Sequence, residues 1–497
     1  MQKRRDWFND SDTEAHKLLK LLHTQADDDD DSIRLRTYAD SLSQRPPRGA
    51  GAIPLEWYAA RDARLGKSQP AWLKAETNTD HVDLLDKEEV NHSASHEPID
   101  ARLLQEELAE ERRLIKLGQE TFYKYSGGIL LSLLHFSLAG GFASPRLTSV
   151  LKKTAYLVPA DRKTPLSEEK QREQDQKEGE KTWRRLIETT QWVLDVMESV
   201  DSMEPPDLTA SQEAEDGAEP TFGGLGRHAT LQVRFLHAKV RSRLGPRMPA
   251  DEPLPLNQAD MLATLLSFSA APLASLARMG VTVPREEREA YLGVWRHVGW
   301  LMGVDARLIR RCLRDTAAAD RALGSAIQNL FDADDLKEVR PPTYQILKSI
   351  ASRPPFYTSF PLHCALASSL IGAELSDALG LPQPSLAIKA KVAVTYIGMW
   401  FTTFFGTYYP RRGWEQTRLR LSKLLLRRLM VWNLGMKRSS FRGHAAGDTG
   451  MTDVPRDDEQ AKKEVREYQW MMREMVAVYV AAGASAVGLL YLMLAAS

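Results

Sequence analysis

Three segments with a helical period constrain the fold more than any other feature of this sequence. They read TLQVRFLHAKVRSRL (230–244), NQADMLATLLSFSAAPLASLA (257–277) and REAYLGVWRHVGWLMGV (288–304). In each of them, apolar residues recur at steps of three and four, which is typical of helices with one buried face. No segment combines the alternation of a strand with turn signals at its ends. The sequence therefore predicts an all-α fold.

The C-terminal segment 475–497, MVAVYVAAGASAVGLLYLMLAAS, contains no charged residue. As a helix it would be about 35 Å long, enough to cross a hydrocarbon core of about 30 Å. The segment therefore predicts a membrane anchor, and a helix buried within the protein is the alternative. The charged residues before it, Arg473 among them, would stay on the cytosolic side.

Composition narrows the classes of function. Lys and Arg number 66, as do Asp and Glu, so the zero net charge does not indicate a nucleic-acid partner. The two cysteines, Cys312 and Cys364, are too few for a disulfide-stapled domain. No Cys-x-x-Cys motif occurs, which excludes a zinc ribbon and the covalent attachment of a c-type haem.

Changes in composition divide the chain into four regions. The expected boundaries are a polar, partly disordered N-terminal region (1–109), a helical domain (110–445) with polar insertions at 160–181 and 203–228, a charged linker (446–474) and the anchor (475–497).

Two segments of the helical domain also bear on the membrane. Segment 392–409 is uncharged and aromatic, so it could span a bilayer, lie in its interface or belong to the core. Segment 411–442 contains ten Lys or Arg residues and one acidic residue, Glu415. Its amphipathic pattern favours a helix on an anionic membrane surface, with the solvated face of a core helix as the alternative.

A polar stripe lies on the first of the three helical segments. Thr230, Arg234, His237 and Arg241 follow one another at steps of four, three and four, which places them on one helix face. Imidazole is a good ligand for haem iron, and arginine pairs with carboxylates such as the haem propionates. The stripe therefore suggests a haem site with His237 as the iron ligand, although a lone histidine on a helix is more often structural.

Several blocks resemble a known family. VRFLHAKVRSRL, PLNQADMLATLLSFS and YLGVWRHVGWLMG occur in this order, preceded by LGQETFYKYSGGILLSLLHFSLAGGFASPRLTSVLKKTAYL and followed by RRLMVWNLGMKR. Together they resemble the haem-dependent oxygenase family of bacterial latex clearing proteins and the fungal MpaB enzyme. The likeness covers about 119–442. Each block is degenerate by itself, but their order and spacing are specific.

The resemblance implies a globin-like helical core around a non-covalent haem b, with dioxygen as co-substrate. It implies that His237 is the proximal ligand, accompanied by Arg234 and Arg241. In latex clearing proteins a lysine followed by a threonine approaches the distal side of the iron. Lys153 and Thr154 match that pair in this sequence, with Lys152 as a neighbouring alternative.

Two departures from the family pattern bear on the substrate. Val150 stands where an arginine is expected, and the glutamate that acts as a base has no counterpart in SLLHFSLAGG. His135 lies in that block, in either a polar or a structural role. The expected activity is therefore oxidative double-bond cleavage of an apolar, isoprenoid or terpenoid substrate rather than rubber cleavage. Likeness to MpaB implies the endoplasmic reticulum membrane, with the domain facing the cytosol.

Other residues remain as weaker candidates. His297 is a rival iron ligand, and His363 is expected in the core. Asp260 and Thr264, one helical turn apart, either line a pocket or serve the helix that Asn257 is expected to cap. The alternative function is a non-catalytic, membrane-anchored helical protein that binds haem, lipid or a partner.

Overall fold

A computed structural model describes nine parts of the chain. For residues 330, 405, 482 and 486–495 it describes the backbone alone. The described parts are 46–64, 101–154, 167–205, 223–248, 252–330, 342–354, 356–409, 411–441 and 450–495.

The first five helices lead up to the polar stripe. A π-helical turn, Leu133–Leu138, and a short helical turn, Ala139–Gly141, follow α3. The helices are α1 (Leu55–Arg64), α2 (Ala101–Lys124), α3 (Ser126–Ser132), α4 (Pro145–Thr154) and α5 (Glu168–Val196).

The next five helices contain the periodic segments of the sequence. They are α6 (Leu225–Leu244), α7 (Gln258–Arg278), α8 (Arg285–Leu301), α9 (Ala306–Cys312) and α10 (Thr316–Leu330).

The remainder of the described chain is also helical apart from one small sheet. Its elements are α11 (Thr343–Ile350), α12 (Phe360–Ile371), α13 (Ala373–Ala378), α14 (Leu386–Tyr408), α15 (Trp414–Asn433), β1 (Lys437–Ser439), β2 (Met451–Asp453) and α16 (Asp458–Ala495).

The fold agrees with the all-α prediction except at this sheet. Strands β1 and β2 pair antiparallel, with Lys437 opposite Asp453. The sequence showed no strand pattern here, because three residues are too few for alternation to be recognised.

Helices α2 and α8 pack closely at the centre of the core. A Cβ atom on Gly118 of α2 would collide with the carbonyl oxygen of Ala290 on α8. Phe122, Tyr291 and Trp295 are fully buried around this contact. The absence of a side chain at Gly118 therefore sets the spacing of the two helices.

Residues 46–64 belong to this core, although the sequence predicted a loosely structured N-terminal region. The Arg296 guanidinium donates hydrogen bonds of 3.0 Å to the carbonyl oxygens of Gly51 and Ala52. Tyr58 on α1 is buried as well. The boundary predicted at 109 therefore separates residues that pack together.

The polar insertion predicted at 160–181 is partly helical. Helix α5 begins at Glu168 and continues without a break to Val196, and residues 155–166 lie outside the described residues. The charged residues form the exposed first half of a helix whose second half is buried. A polar sequence therefore did not indicate a loop here.

The basic helix α15 packs within the protein. Lys423 and Arg427 lie 3.0 and 2.8 Å from the carboxylate of Glu198, just after α5. Arg428 pairs with Glu464 on α16. Because acidic groups of the protein face these cations, α15 gives little support to the predicted contact with anionic lipid.

One helix in the described part of the chain, Gln258–Arg278, is long and apolar enough to cross a membrane. It is 67% buried, and a core helix passes the same test of length and composition, so it is weak evidence for a membrane. The predicted anchor lies in the second half of α16. Its backbone is helical to Ala495, and most of its side chains lie outside the described residues.

Candidate functional site

The polar stripe lies on α6, as its spacing predicted. Arg234 and Arg241 are buried, with exposed fractions of 5% and 3%, whereas His237 between them is only half-buried. Its Nδ1 atom is buried, so a ligand would have to reach the imidazole through Nε2, next to two cationic groups that the protein holds in place.

The two arginines connect α6 to the ends of neighbouring helices. Arg234 donates a 3.4 Å hydrogen bond to the carbonyl oxygen of Leu301, the last residue of α8. Arg241 donates a 3.2 Å hydrogen bond to the carbonyl oxygen of Leu256, just before α7. The last carbonyl groups of a helix have no acceptor role within it, so Leu301 is free to receive Arg234, and the two contacts together fix α6 against α8 and against the segment before α7.

Thr230 faces a different environment. It is fully buried, its hydroxyl donates a 2.7 Å hydrogen bond to the carbonyl oxygen of Gly226, and it accepts one of 3.1 Å from Trp192 Nε1. The Trp192 ring packs edge-on against Phe268, 5.4 Å between centroids. This geometry favours a packing role for Thr230, and a haem contact there stays a prediction.

The predicted distal pair lies on α4. The Lys153 side chain is 39% exposed, and its Nζ lies 3.4 Å from the Glu252 carboxylate. The Thr154 hydroxyl donates a 3.0 Å hydrogen bond to the carbonyl oxygen of Val150, inside its own helix. The Lys153 ammonium therefore points to the surface and pairs with a carboxylate, so its distal role stays a prediction. Lys152, the alternative, is half-buried.

Two other histidines in the described part of the chain compete with His237. The ring nitrogens of His297 are buried, and its Nδ1 lies 3.1 Å from the Glu111 carboxylate. His228 is half-buried but lies nine residues before His237, about half a turn round the helix in projection. Neither combines an accessible ring with the arginine stripe.

A histidine pair that the sequence did not reveal joins the π-helical turn to α12. His135 Nε2 lies 2.9 Å from His363 Nδ1, and the two rings stack at 5.2 Å. His135 Nδ1 lies 2.9 Å from the carbonyl oxygen of Leu131. A carbonyl only accepts, so the neutral His135 carries its proton on Nδ1 and accepts at Nε2 from His363.

The hydrogen bond between the two rings therefore has a fixed direction, from His363 to His135. In the neutral state His363 carries its proton on Nδ1, which leaves its Nε2 as a proton acceptor. Burial and the neighbouring ring lower the pKa of His135 to about 3, and burial lowers the pKa of His363 to about 4. The two rings are 228 residues apart in the chain, so no local sequence pattern joins them.

The start of α7 has the structural roles expected of it. Asn257 Oδ1 accepts a 3.0 Å hydrogen bond from the backbone N–H of Asp260, which confirms the predicted cap. The Thr264 hydroxyl donates a 2.8 Å hydrogen bond to the carbonyl oxygen of Asp260. The Asp260 carboxylate pairs with Arg146 on α4, and burial raises its pKa.

Across the described ranges, no three His, Cys, Asp or Glu side chains are grouped as a metal site would require. A single imidazole suffices for haem, because the porphyrin supplies the other iron ligands.

Residues 172–403 match one known protein family. They match the model described as ER-bound oxygenase mpaB/B'/Rubber oxygenase, catalytic domain. This segment belongs to the MpaB and rubber-oxygenase family. The resemblance inferred from the sequence is thus confirmed over a narrower range than 119–442. The stripe from Thr230 to Arg241 lies inside the matched segment, whereas Lys153 and His135 precede it.

Individual relatives are distant. A rubber oxygenase from Streptomyces sp. is 27% identical over 164 residues, which are 31% of this chain. The chain spans only 38% of that relative's length. A solved structure of latex clearing protein in the closed state is 17% identical, covers 62% of this chain and 74% of its own, and aligns with a TM-score of 0.40.

Proposed function

We propose that this protein is a membrane-tethered haem b oxygenase that cleaves a double bond of an apolar, isoprenoid or terpenoid substrate. The observation that carries the proposal is the half-buried His237 between the buried Arg234 and Arg241, inside the segment that matches an oxygenase catalytic domain.

The donor set on α6 suits haem b. His237 would hold the iron through its imidazole, and Arg234 and Arg241 are the cations that share its face of the helix. Burying two guanidinium groups is costly, and anionic propionates nearby would offset part of that cost. When bound, haem b supplies the activation of dioxygen.

The surroundings of α6 would keep the site rigid and dry. Trp192, Phe268 and Trp295 form an aromatic cluster whose ring centroids lie 5.1 to 5.8 Å apart. The hydrogen bond from Trp192 to Thr230 connects this cluster to α6. Water is thereby excluded behind the stripe, which is useful where a reactive oxygen species must meet an apolar substrate.

The proposed location is the endoplasmic reticulum membrane, with the domain facing the cytosol. The anchor would be 475–497, because Met471 and Met475 are buried against α15, whereas most of the described side chains after Met475 are exposed. An apolar substrate partitions into lipid, so a tethered enzyme would meet it at a high local concentration.

The proposed distal role of Lys153 and Thr154 requires a rearrangement. Lys153 would have to leave Glu252, and α4 would have to turn this face inward. The exposed position of Lys153 favours a second candidate function, a membrane-anchored protein that binds haem or lipid without turnover.

The visible absorption spectrum of the purified full chain tests the cofactor. We expect a Soret band that shifts or disappears in His237→Ala and is unchanged in His228→Ala, the matched histidine on the other side of α6. A folded wild-type protein that takes up no haem when haem is supplied would reject the proposal.

Turnover is tested separately by oxygen consumption. The haem-loaded protein should consume dioxygen with at least one member of a panel of isoprenoids, and His237→Ala should not. A Soret band that depends on His237, without oxygen consumption on any member, would favour the second candidate function.

A further inference from the structure

Helix α14 presents apolar side chains to the solvent along its whole length. At 100° per residue these side chains fall within an arc of about 120°, and they extend over about 33 Å. We call them the α14 stripe: Leu386 (84% exposed), Val394 (69%), Ile397 (64%), Trp400 (42%), Phe404 (42%) and Tyr408 (69%).

The opposite face of α14 belongs to the core. Val392 is buried and packs with Ala365 and Leu366 of α12, and Ile388 and Tyr396 adjoin the same cluster. Because one face is fixed on the protein, α14 cannot be surrounded by lipid as a spanning helix is. Its outer face is nevertheless too apolar and too continuous for an ordinary solvated surface.

Charges border the stripe at both ends. Lys389 and Lys391 are exposed near its beginning, and Arg412 is exposed just after its end, next to Arg411, which pairs with Glu474. Segment 392–409 between them has no charge. Aromatic rings bordered by cations are typical of helices that lie in the interface of an anionic bilayer.

The stripe adjoins the helix that contains the predicted anchor. The Tyr479 ring of α16 lies 5.6 Å from Phe401 and 5.9 Å from Tyr409. On α16 the exposed apolar side chains Val476 and Val480 flank this contact. The apolar surface of α14 therefore continues onto α16 where the predicted anchor begins.

We propose that the α14 stripe is embedded in the headgroup and upper acyl region of an anionic bilayer, beside the C-terminal anchor. The anchor alone would let the domain rotate above the membrane. A second, lateral contact through α14 holds the α12–α14 side of the domain against the lipid. This inference rests on the membrane tether of the proposed function, but not on haem or turnover.

The contact is tested on the full chain bound to vesicles of phosphatidylcholine and phosphatidylserine. A polarity-sensitive fluorophore is attached to Ile397→Cys or, in a second variant, to Val394→Cys. Both variants carry Cys312→Ser, and the remaining Cys364 is fully buried. The matched control is Arg172→Cys on α5, where the native side chain is 83% exposed.

We expect the fluorophore at 394 and at 397 to shift to the blue and to lose emission when the vesicles contain spin-labelled lipid. The control at 172 should show neither change. Flotation with the vesicles shows separately whether the chain binds the membrane at all.

Three outcomes would overturn the proposal. Chains that float with the vesicles but are unquenched at 394 and 397 keep the tether and reject the lateral contact. A blue shift that grows with protein concentration without vesicles means that a second copy covers the stripe. Chains that do not float reject the tether and the contact together, whatever their haem content.

Discussion

Helices α8 and α14 depart from the usual distribution of polar and apolar residues in opposite ways. Helix α8 buries a guanidinium, that of Arg296, which is 1% exposed, whereas α14 exposes Ile397 and Trp400 to the solvent. In α8 the backbone carbonyls of neighbouring segments satisfy the charged group. In α14 the apolar side chains of the outer face remain 42% to 84% exposed. The polar group of α8 is therefore satisfied within the protein, whereas the outer face of α14 is the surface for which lipid contact is proposed above.

The largest expected effect comes from removing the buried guanidinium. Arg296 donates hydrogen bonds to the carbonyl oxygens of Gly51, Ala52, Leu313 and Arg314. Arg296→Met should lower the free energy of unfolding by about 3–5 kcal/mol, because these buried acceptors lose their donor. Denaturant unfolding measures the loss.

The matched control for this prediction is Arg172→Met on the exposed half of α5, which should change stability by less than about 0.5 kcal/mol. A loss below about 1 kcal/mol for Arg296→Met would mean that residues 46–64 are not held to the core as described.

The next largest effect is expected on the pH dependence of stability, through the pair of His135 and His363. The pKa values of His135 and His363 are lowered to about 3 and about 4, while an unfolded histidine titrates near 6.5. Well above pH 6.5 both histidines are neutral in the folded and in the unfolded chain, so their burial costs no stability through protonation. As the pH falls towards 4, the unfolded state binds more protons, and each histidine costs up to about 1.4 kcal/mol per pH unit.

Denaturant unfolding between pH 7 and pH 4.5 checks this expectation. His363→Gln removes one of the two titrating rings, so its stability should fall about half as steeply with acidification as that of the native chain. Equal slopes in the two proteins would contradict the assignment of the buried pair as neutral.

The smallest effect is expected on the outer face of α14. Ile397→Ala should change the free energy of unfolding by less than about 0.5 kcal/mol, because the side chain is 64% exposed. The same substitution at the fully buried Ile129 should cost about 2–5 kcal/mol. A large loss at Ile397 in the absence of lipid would show that α14 is covered by protein, and the comparison with α8 would then fail.

Much of the fold and part of the site could be predicted from local patterns. The helical period identified α6, α7 and α8, and the spacing of the stripe placed Arg234, His237 and Arg241 on one face. The Asn257 cap was also predicted, because a cap depends on residues only three positions apart. The β1–β2 pair was not predicted, because its strands are too short to give a periodic signal. The first half of α5 was not predicted either, because it has too few apolar residues to show a helical period.

Charge patterns were the least reliable guide. The basic run of α15 suggested a membrane surface, yet Lys423 and Arg427 face Glu198, more than 200 residues earlier in the chain. The pairing of His135 with His363 and the hydrogen bonds from Arg296 to residues 46–64 also join distant parts of the chain. Each depends on which helices become neighbours, and a linear pattern does not contain that information.

The sequence by itself determined the helical class, the family of residues 172–403 and the position of the arginine–histidine stripe. Each of these depends on residues that are close together in the chain. The tertiary structure alone decided which charged groups are buried against carbonyls, which histidines meet, and which face of α14 is left uncovered. Burial depends on the surfaces that distant segments bring together, so it is fixed only when the helices pack.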